Sequence, residues 1–417
     1  MHSSRFGWLS ATFLVIANMV GTGIYTTTGF IVRETPEGLG VLLLWGLGGI
    51  AALGGAKAYA ELAKRHPRSG GEYHFLSVLY HPAVGYLAGL VSLVAGFAAP
   101  IAASAYAFSA YIPLSLTEFE RKILGVGLIG VLAGVHSLGL SRGAQIQNFF
   151  VLIKISLLLT LIVGAIISAP SDAQELTFPP ISGKTLRTAA VSLIFISFAY
   201  SGWNAAAYIM SEIPKAAHVV PRAILSGTLI VMTMYLAFNY VLLRYIPAKE
   251  LAGQIAVGKL LASKLWGEKG NIIFGWGVSL TMVSSVSAML MIAPRVLSVM
   301  GEDYPQLRVL AKRNRWGGPL PAIILVASLA TLFLFLAAFD AIMNYIGFTL
   351  SLSAGLTVMG LFLRHGRNKK LPWVLGILFL ILTAWMVTNN LWERPWESGA
   401  GMLTLLAVGT SYLWLKR

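Results

Sequence analysis

Two glycine-containing stretches interrupt apolar segments that are long enough to cross a membrane. The first is GTG at 21–23, and the second is SG at 201–202 within FISFAYSGWNAAAYIMSE. Glycine inside a helix costs roughly 1 kcal/mol relative to alanine, so both places favour an unwound backbone. Unwound helix ends present N–H groups that attract a carboxylate and carbonyls that attract an ammonium group. Together they would suit a zwitterion.

The positions of these interruptions favour binding over simple packing. Small residues also let membrane helices approach one another closely, and that remains the alternative interpretation of each stretch alone. Counted along the chain, however, the interrupted segments are the first and the sixth, which hold the same place in two halves of five segments. Such a pairing is typical of the binding site of secondary transporters. We therefore expect a bulky residue at Gly21 or Gly23 to abolish binding more than folding.

A lysine lies inside another apolar segment, NFFVLIKISLLLTLIVGAI. A charge at the centre of a span costs about 2.5–3.5 kcal/mol on insertion scales, so Lys154 indicates a function. Three interpretations stay open: a fixed positive charge, an amine that gains and loses a proton because burial disfavours its charged form, or a lysine that snorkels to the cytoplasmic interface. Lys57 lies near the end of its segment, where snorkelling explains it better.

The composition indicates an all-α polytopic membrane protein. Of the 417 residues, 57% are hydrophobic and 11% are charged, whereas a soluble domain carries about 25% charged residues. The apolar runs are about twenty residues long, unlike the roughly ten-residue alternating strands of membrane barrels. The net charge of +15 is spread over short loops, which favours cytoplasmic loops rather than nucleic-acid binding.

Twelve spans are predicted, with short connections that leave no room for a soluble domain. They cover about 9–32, 39–62, 83–112, 122–140, 145–168, 186–212, 222–245, 271–299, 320–337, 340–363, 372–391 and 399–415. The first is interpreted as a retained helix rather than a cleaved signal. More lysine and arginine fall on the inside when both termini are cytoplasmic, which supports that orientation.

Several classes of chemistry have no matching pattern. The seven histidines show no metal-ligand spacing, and no phosphate-binding GxxxxGK[ST] motif occurs. No nucleophile–base arrangement is visible. We therefore expect neither an enzyme, nor a metal site, nor a cofactor, and ATP is not the predicted energy source.

Five stretches of the chain resemble the amino acid–polyamine–organocation (APC) superfamily, and within it the bacterial relatives of the L-amino acid transporters. They are VGTGIY, AELAKRHPRSGGEYHFL, FAYSGWNAAAYIMSEI with PRAI, APRVLSVMGED, and YIGFTLSLSAGLTV. The resemblance implies the LeuT-type fold, with two inverted five-helix repeats and discontinuous helices one and six. On this chain the repeats would span 1–168 and 169–364, followed by spans eleven and twelve at 365–417.

The resemblance also implies how a substrate is held. The carboxylate would bind backbone N–H groups, and the ammonium would bind carbonyls on both interrupted helices. The implied carboxylate ligands are Gly21, Thr22 and Gly23; the implied ammonium ligands are Ile16 or Ala17, with Phe198, Ala199 and Ser201. Phe198 matches the aromatic gate of the family. Gly202 and Trp203 lie at the second interruption, where Trp203 either contributes to the site or only packs.

Lys154 matches a lysine of sodium-independent relatives that stands where sodium binds in sodium-driven members. Its ammonium would bridge the span-one backbone near Gly21 and a hydroxyl of span eight. Ser284 fits that hydroxyl best, ahead of Ser285 and Ser287. Ala288 departs from the family because some relatives carry a gating tryptophan there.

The middle of spans one, three, six, eight and ten holds no acid, and Glu61 and Glu212 lie at cytoplasmic ends. An unpaired buried charge is costly, so the pocket favours a neutral substrate side chain over arginine, lysine or polyamines. The arginines of the loop 65–76 either pair with these glutamates or other loop acids, or only hold the loop inside. The stretch 246–270 is interpreted as an outer lid or surface helix.

These features predict a sodium-independent transporter of neutral L-amino acids in the plasma membrane, working by alternating access. Exchange, proton coupling and export all stay open. A transporter of another small solute (a polyamine, a nucleobase or a cation) and a non-transporting channel or sensor are the alternatives. The chain has no cysteine for a disulfide to a heavy subunit, so none is expected to be obligatory.

Overall fold

The structure is a computed structural model that describes residues 7–138, 143–168, 173–180, 182–365 and 373–415. Helices account for every regular element within these ranges. The first helices are α1 (Trp8–Met19), α2 (Thr22–Glu34), α3 (Gly38–Arg65), α4 (Glu72–Leu79), α5 (Pro82–Val91), α6 (Ala99–Tyr111), α7 (Glu118–Ser137), α8 (Gly143–Ser168) and α9 (Gly183–Tyr200). The later ones are α10 (Ala216–Tyr245), α11 (Ala248–Leu251), α12 (Val257–Asp303), α13 (Arg308–Ala311), α14 (Leu320–Leu336), α15 (Phe339–His365), α16 (Trp373–Glu393) and α17 (Pro395–Leu415).

Nine helices or joined helices of the described residues are long and apolar enough to cross a membrane. The remaining longer helices are α7, α14 and α17. The multi-pass helical architecture predicted from composition is confirmed. The expected domain boundaries fall next to residues 169–172 and 366–372, which lie outside the described residues.

The interrupted first span lies at the centre of the bundle. In the most apolar window of Trp8–Glu34, 78% of residues are buried, against 33% for Phe149–Ser168 and 28% for Trp373–Glu393. Helix α1 packs on α8 and α10, while α2 packs on α9. The helix pair that carries the glycines is therefore enclosed by other helices, where unwound backbone avoids contact with lipid.

Two irregularities were not expected from the sequence. A π-helical turn at Ser92–Ala98 joins α5 to α6, and such turns occur often at functional sites. Helix α12 is kinked at Gly267, so its first part continues the stretch 246–270 and its second part is the predicted span eight. The Gly253 N–H donates to the Gly29 carbonyl, which ties this stretch to α2.

Candidate substrate site at two interrupted helices

The first interruption separates α1 from α2. Val20 is extended, and α2 starts at Thr22 without a side-chain cap. The first N–H groups of a helix have no acceptor within that helix, so this N-terminus can bind an anion. The Thr22 hydroxyl bonds the Ser104 hydroxyl of α6 at 2.8 Å. The backbone N–H groups at this N-terminus are therefore donors for a carboxylate.

The second interruption separates α9 from a 3-10 segment, Ala205–Glu212. Ser201 is extended, and Gly202 has φ of +95°, a left-handed conformation that side chains other than glycine rarely adopt. A Cβ at Gly202 would lie 2.8 Å from the carbonyl carbon and oxygen of Asn18, near the end of α1. The two interruptions are thus in direct backbone contact, and glycine is required at that contact.

Gly23 has a different role from Gly21. A Cβ at Gly23 would lie 2.4 Å from Cα of Ala199, so this glycine lets α2 press against α9. A Cβ at Gly21 would meet only the Ser285 side chain, at 3.1 Å from Oγ. The expectation that Gly23 acts only as open backbone for a ligand is therefore incomplete, because the close-packing interpretation also applies to it.

The carbonyls expected to bind an ammonium lie at the two interruptions, and two of them are bonded within the backbone. The Ile16 carbonyl accepts the Val20 N–H at 2.7 Å, and the Phe198 carbonyl accepts the Ser201 N–H at 3.0 Å. A carbonyl oxygen has two lone pairs, so each can accept a further hydrogen bond.

Tyr235 of α10 links the two interrupted helices at backbone carbonyls near their ends. Its buried hydroxyl lies 2.6 Å from the Met19 carbonyl and 3.3 Å from the Ala199 carbonyl. No motif in the sequence marked this residue, because a tyrosine in an apolar helix is ordinary. A single O–H donor shared by two carbonyls holds the ends of α1 and α9 together.

Lys154 is fully buried in α8. Its Nζ donates to the Ala17 carbonyl at 3.0 Å and to the Ser285 hydroxyl at 2.9 Å. The ammonium therefore bridges α1 and α12, whereas a snorkelling lysine would reach the surface, as the exposed Lys57 does. The span-eight hydroxyl that accepts this hydrogen bond is that of Ser285, whereas the sequence pattern alone favours Ser284.

A cavity of about 90 Å³ lies beside the second interruption. One water needs about 10–15 Å³ of such volume, so the cavity has room for roughly six to nine waters or a small solute. Its polar lining comes from Asn18, Glu72, Ser197, Ser201, Asn204, Tyr208 and Ser351, and its aromatic lining from Phe97, Tyr200, Trp203 and Phe379. Of the expected substrate residues, Ser201, Gly202 and Trp203 line it; Ile16, Ala17, Gly21, Thr22, Gly23, Phe198 and Ala199 do not.

Glu72, like Tyr235, is a residue of this site that sequence reasoning missed. It starts α4, in the SGGEYHFL motif that was interpreted as a cytoplasmic loop, yet only 2% of its surface is exposed. The apolar residues that follow it, such as Phe75 and Leu76, are buried too. That mixture of an acid with a buried helix face is the signal that could have located it.

Ion pairs join the ends of the helices near Glu72. Arg68 makes two hydrogen bonds to Asp303, at 2.8 and 3.0 Å, which connect the 65–76 loop to the end of α12. Arg65 pairs with Glu61 at 2.7 Å, as the sequence allowed. Glu212 pairs instead with Arg295 of α12. These partly exposed pairs are worth little individually. The Arg68–Asp303 pair connects the loop to α12, and the Glu212–Arg295 pair connects the 3-10 segment to the same helix.

A bundle in which two interrupted helices meet beside a polar cavity is typical of secondary transporters. The chain belongs to the amino acid permease family, whose family model, described as "Amino acid permease", matches residues 6–409. The APC resemblance drawn from the five motifs is confirmed. This is a family of transporters and not of enzymes.

Similar proteins include several human transporters. The b(0,+)-type amino acid transporter 1 of Homo sapiens is 26% identical over 409 residues, which cover 94% of this chain and 84% of that protein. The human cystine/glutamate transporter is 26% identical over 423 residues, covering 98% and 84%. The human large neutral amino acids transporter small subunit 2 is 25% identical over 431 residues, covering 96% and 78%. These likenesses extend through the whole bundle.

Proposed function

We propose that this chain is a sodium-independent secondary transporter of neutral L-amino acids across the plasma membrane. It works by alternating access, as an exchanger or as a proton-coupled permease. The observation that carries this proposal is the direct contact of two interrupted helices, at Gly202 and Asn18, next to a cavity. The family membership supports amino acids as the substrate class.

The substrate carboxylate binds the uncapped N-terminus of α2, at the N–H groups of Gly21, Thr22 and Gly23. The ammonium binds carbonyls at the ends of α1 and α9, with Ser201 nearest the cavity. Helix N-termini carry partial positive charge and helix C-termini partial negative charge, which matches the two ends of a zwitterion. Trp203 forms part of the cavity wall, where it packs edge-on against Tyr59 at 4.6 Å between ring centroids.

Sodium independence is proposed because Lys154 supplies a positive charge between α1 and α12. Its two hydrogen bonds, to Ala17 and Ser285, give it the position of a bound cation between the two helices. A neutral substrate side chain is proposed because Glu72 is the only acid among the cavity-lining residues of the described chain, and its oxygens already accept hydrogen bonds.

The proposed topology has twelve spans, with both termini cytoplasmic. Helices α7, α14 and α17 supply the three spans beyond the nine long apolar ones. Two inverted repeats, at 1–168 and 169–364, would place the interruptions in equivalent helices. One similar protein is named as a small subunit, but this chain has no cysteine for a disulfide to a partner, so we propose that it works alone.

Transport by the purified protein in proteoliposomes tests this function. Radiolabelled neutral L-amino acids are expected to enter the vesicles. Unlabelled substrate inside the vesicles is expected to stimulate this uptake, and the uptake rate should be equal in sodium and potassium buffers. If only a polyamine, a nucleobase or an inorganic cation stabilised the purified protein against unfolding, amino acids would not be its substrates. Flux without trans-stimulation would identify a channel, and binding without flux would identify a sensor.

Alanine at Gly21 and alanine at Gly23 are expected to have different effects. Gly21→Ala leaves the fold intact, because its Cβ meets only the Ser285 side chain. It weakens amino acid binding, because Gly21 is one of the proposed carboxylate ligands. Gly23→Ala also lowers the melting temperature, because its Cβ would press on the α9 backbone; overpacking typically costs about 1–3 kcal/mol. Thermal unfolding and scintillation-proximity binding of both variants measure this. Equal losses of stability in the two variants would contradict the separate roles given to Gly21 and Gly23.

A further inference from the structure

Glu72 is a buried carboxyl group with three neutral hydrogen-bond partners. Its Oε1 accepts from the Tyr59 hydroxyl at 2.5 Å and from the Asn204 amide at 3.2 Å. Its Oε2 accepts from the Ser353 hydroxyl at 2.8 Å. Those partners come from α3, from the second interruption and from α15. Substrate binding as proposed above makes no use of this group.

The Glu72 carboxyl group has no ion-pair partner among the residues that the structure describes. Within the described part of the chain, no lysine, arginine or histidine nitrogen lies within 4 Å of it, and the nearby Arg68 is paired with Asp303. The titratable groups that face it are the hydroxyls of Tyr59 from α3 and Tyr208 from the 3-10 segment. A buried charge without a counter-ion costs several kcal/mol, so burial shifts the equilibrium of Glu72 toward its protonated form.

The titratable neighbours of Glu72 on α4, Tyr73 and His74, contact other residues and not its carboxyl group. Tyr73 donates to Asp303 at 2.5 Å, and the His74 ring lies against Phe75 and His66. Burial raises the pKa of Glu72 above its ordinary value, and its three hydrogen bonds oppose that rise. Burial, with the charge of Arg68 nearby, lowers the pKa of His74 to about 4, so His74 stays neutral where Glu72 would titrate.

The backbone around Glu72 is attached to the second interrupted helix. The N–H groups of Gly70 and Gly71 donate to the carbonyls of Tyr208 and Ala207, both at 3.3 Å. Gly71 has φ of +54°, and a Cβ there would lie 2.4 Å from the Tyr208 ring. Any motion of the 3-10 segment would therefore change the surroundings of the Glu72 carboxyl group and its exposure to water.

We propose that Glu72 is the proton-binding site that couples amino acid transport to a proton gradient. Its carboxylate takes one proton from water on the side where substrate enters, and it releases that proton to water on the other side. Both states fit the same partners: the carboxylate accepts from all three, and the carboxylic acid donates to the Ser353 or Tyr59 oxygen. This inference rests on the proposed function and selects proton coupling from its two variants.

The test compares the wild-type protein with Glu72→Gln in two preparations. Proteoliposomes without internal amino acid measure gradient-driven uptake, and proteoliposomes preloaded with unlabelled substrate measure counterflow. Acidifying the side that holds the labelled substrate is expected to raise wild-type uptake several-fold. Glu72→Gln, which mimics the protonated acid, is expected to lose this response and to keep counterflow at equal pH. A full gradient response in Glu72→Gln, or none in the wild type when counterflow is active, would overturn the inference. No counterflow in the wild type would instead overturn the proposed function, and this inference with it.

Glu61→Gln is the matched control, because Glu61 is a partly exposed acid of α3 already paired with Arg65. It is expected to keep the gradient response. Tyr59→Phe and Ser353→Ala each remove a donor that favours the charged carboxylate, so the pH midpoint of uptake should move upward by about half a unit or more. If Glu72→Gln does not fold, an unchanged midpoint in both of these variants would overturn the inference.

Discussion

Replacing Lys154 with alanine is expected to slow amino acid uptake by about tenfold or more. The substitution removes two charge-assisted hydrogen bonds, and each such bond contributes about 1.5–3 kcal/mol. A rise of about 1.4 kcal/mol in the transport barrier slows the rate by a factor of about ten. Without the ammonium, the Ala17 carbonyl of α1 and the Ser285 hydroxyl of α12 are no longer bridged.

The measurement is initial-rate counterflow between about pH 5 and 8, with thermal unfolding to show that the variant folds. Lys57→Ala is the matched control, because that lysine is exposed on α3. It is expected to transport like the wild type. Wild-type rates in Lys154→Ala at every pH would leave Lys154 only a packing role. A changed pH dependence, rather than a uniform loss, would indicate that the amine itself titrates during transport.

Replacing Gly202 with alanine is expected to abolish substrate binding. The Cβ would lie 2.8 Å from the carbonyl of Asn18, and the residue would have to keep a left-handed φ of +95°. The strain of that conformation costs about 1–2 kcal/mol for a residue other than glycine. The clash adds to this and separates the two interruptions, so the carboxylate and ammonium sites lose their spacing.

Gly317→Ala is the control that separates the backbone strain of the Gly202→Ala variant from its clash with Asn18. Gly317 also has a left-handed φ, +87°, but a Cβ there would have no neighbour within 4 Å. It is expected to lose some stability and to bind substrate normally. Equilibrium binding and melting temperatures of both variants make the comparison. If Gly202→Ala bound as tightly as Gly317→Ala, contact between the interruptions would not matter for binding.

The helical bundle and the position of the interruptions follow from local physics, so the sequence predicts them well. Apolar runs of span length predict the helices, and a glycine pair in the middle of such a run predicts the breaks. The structure places the first break at Val20 and Gly21 and the second between Ser201 and Asn204. Lys154 was equally visible, because a charge in an apolar run has few alternative explanations.

Side-chain partners depend on the packing of helices that are distant in sequence, and there prediction was weaker. Ser284 and Ser285 differ by only one position, so the rotation of α12 against α8 decides which one meets Lys154. Gly23 serves a helix contact with Ala199 that no local pattern reveals. Glu72 was missed because its short helix α4 folds back between two spans and carries an acid from a loop motif into the cavity.

The most direct test is an experimental structure of the protein with the neutral L-amino acid that binds it most tightly in a transport panel. The substrate carboxylate is expected within hydrogen-bond distance of the N–H groups of Thr22 and Gly23, and the ammonium at carbonyls that end α1 and α9. A substrate bound away from both interruptions, or helices one and six that run through without a break, would contradict the account.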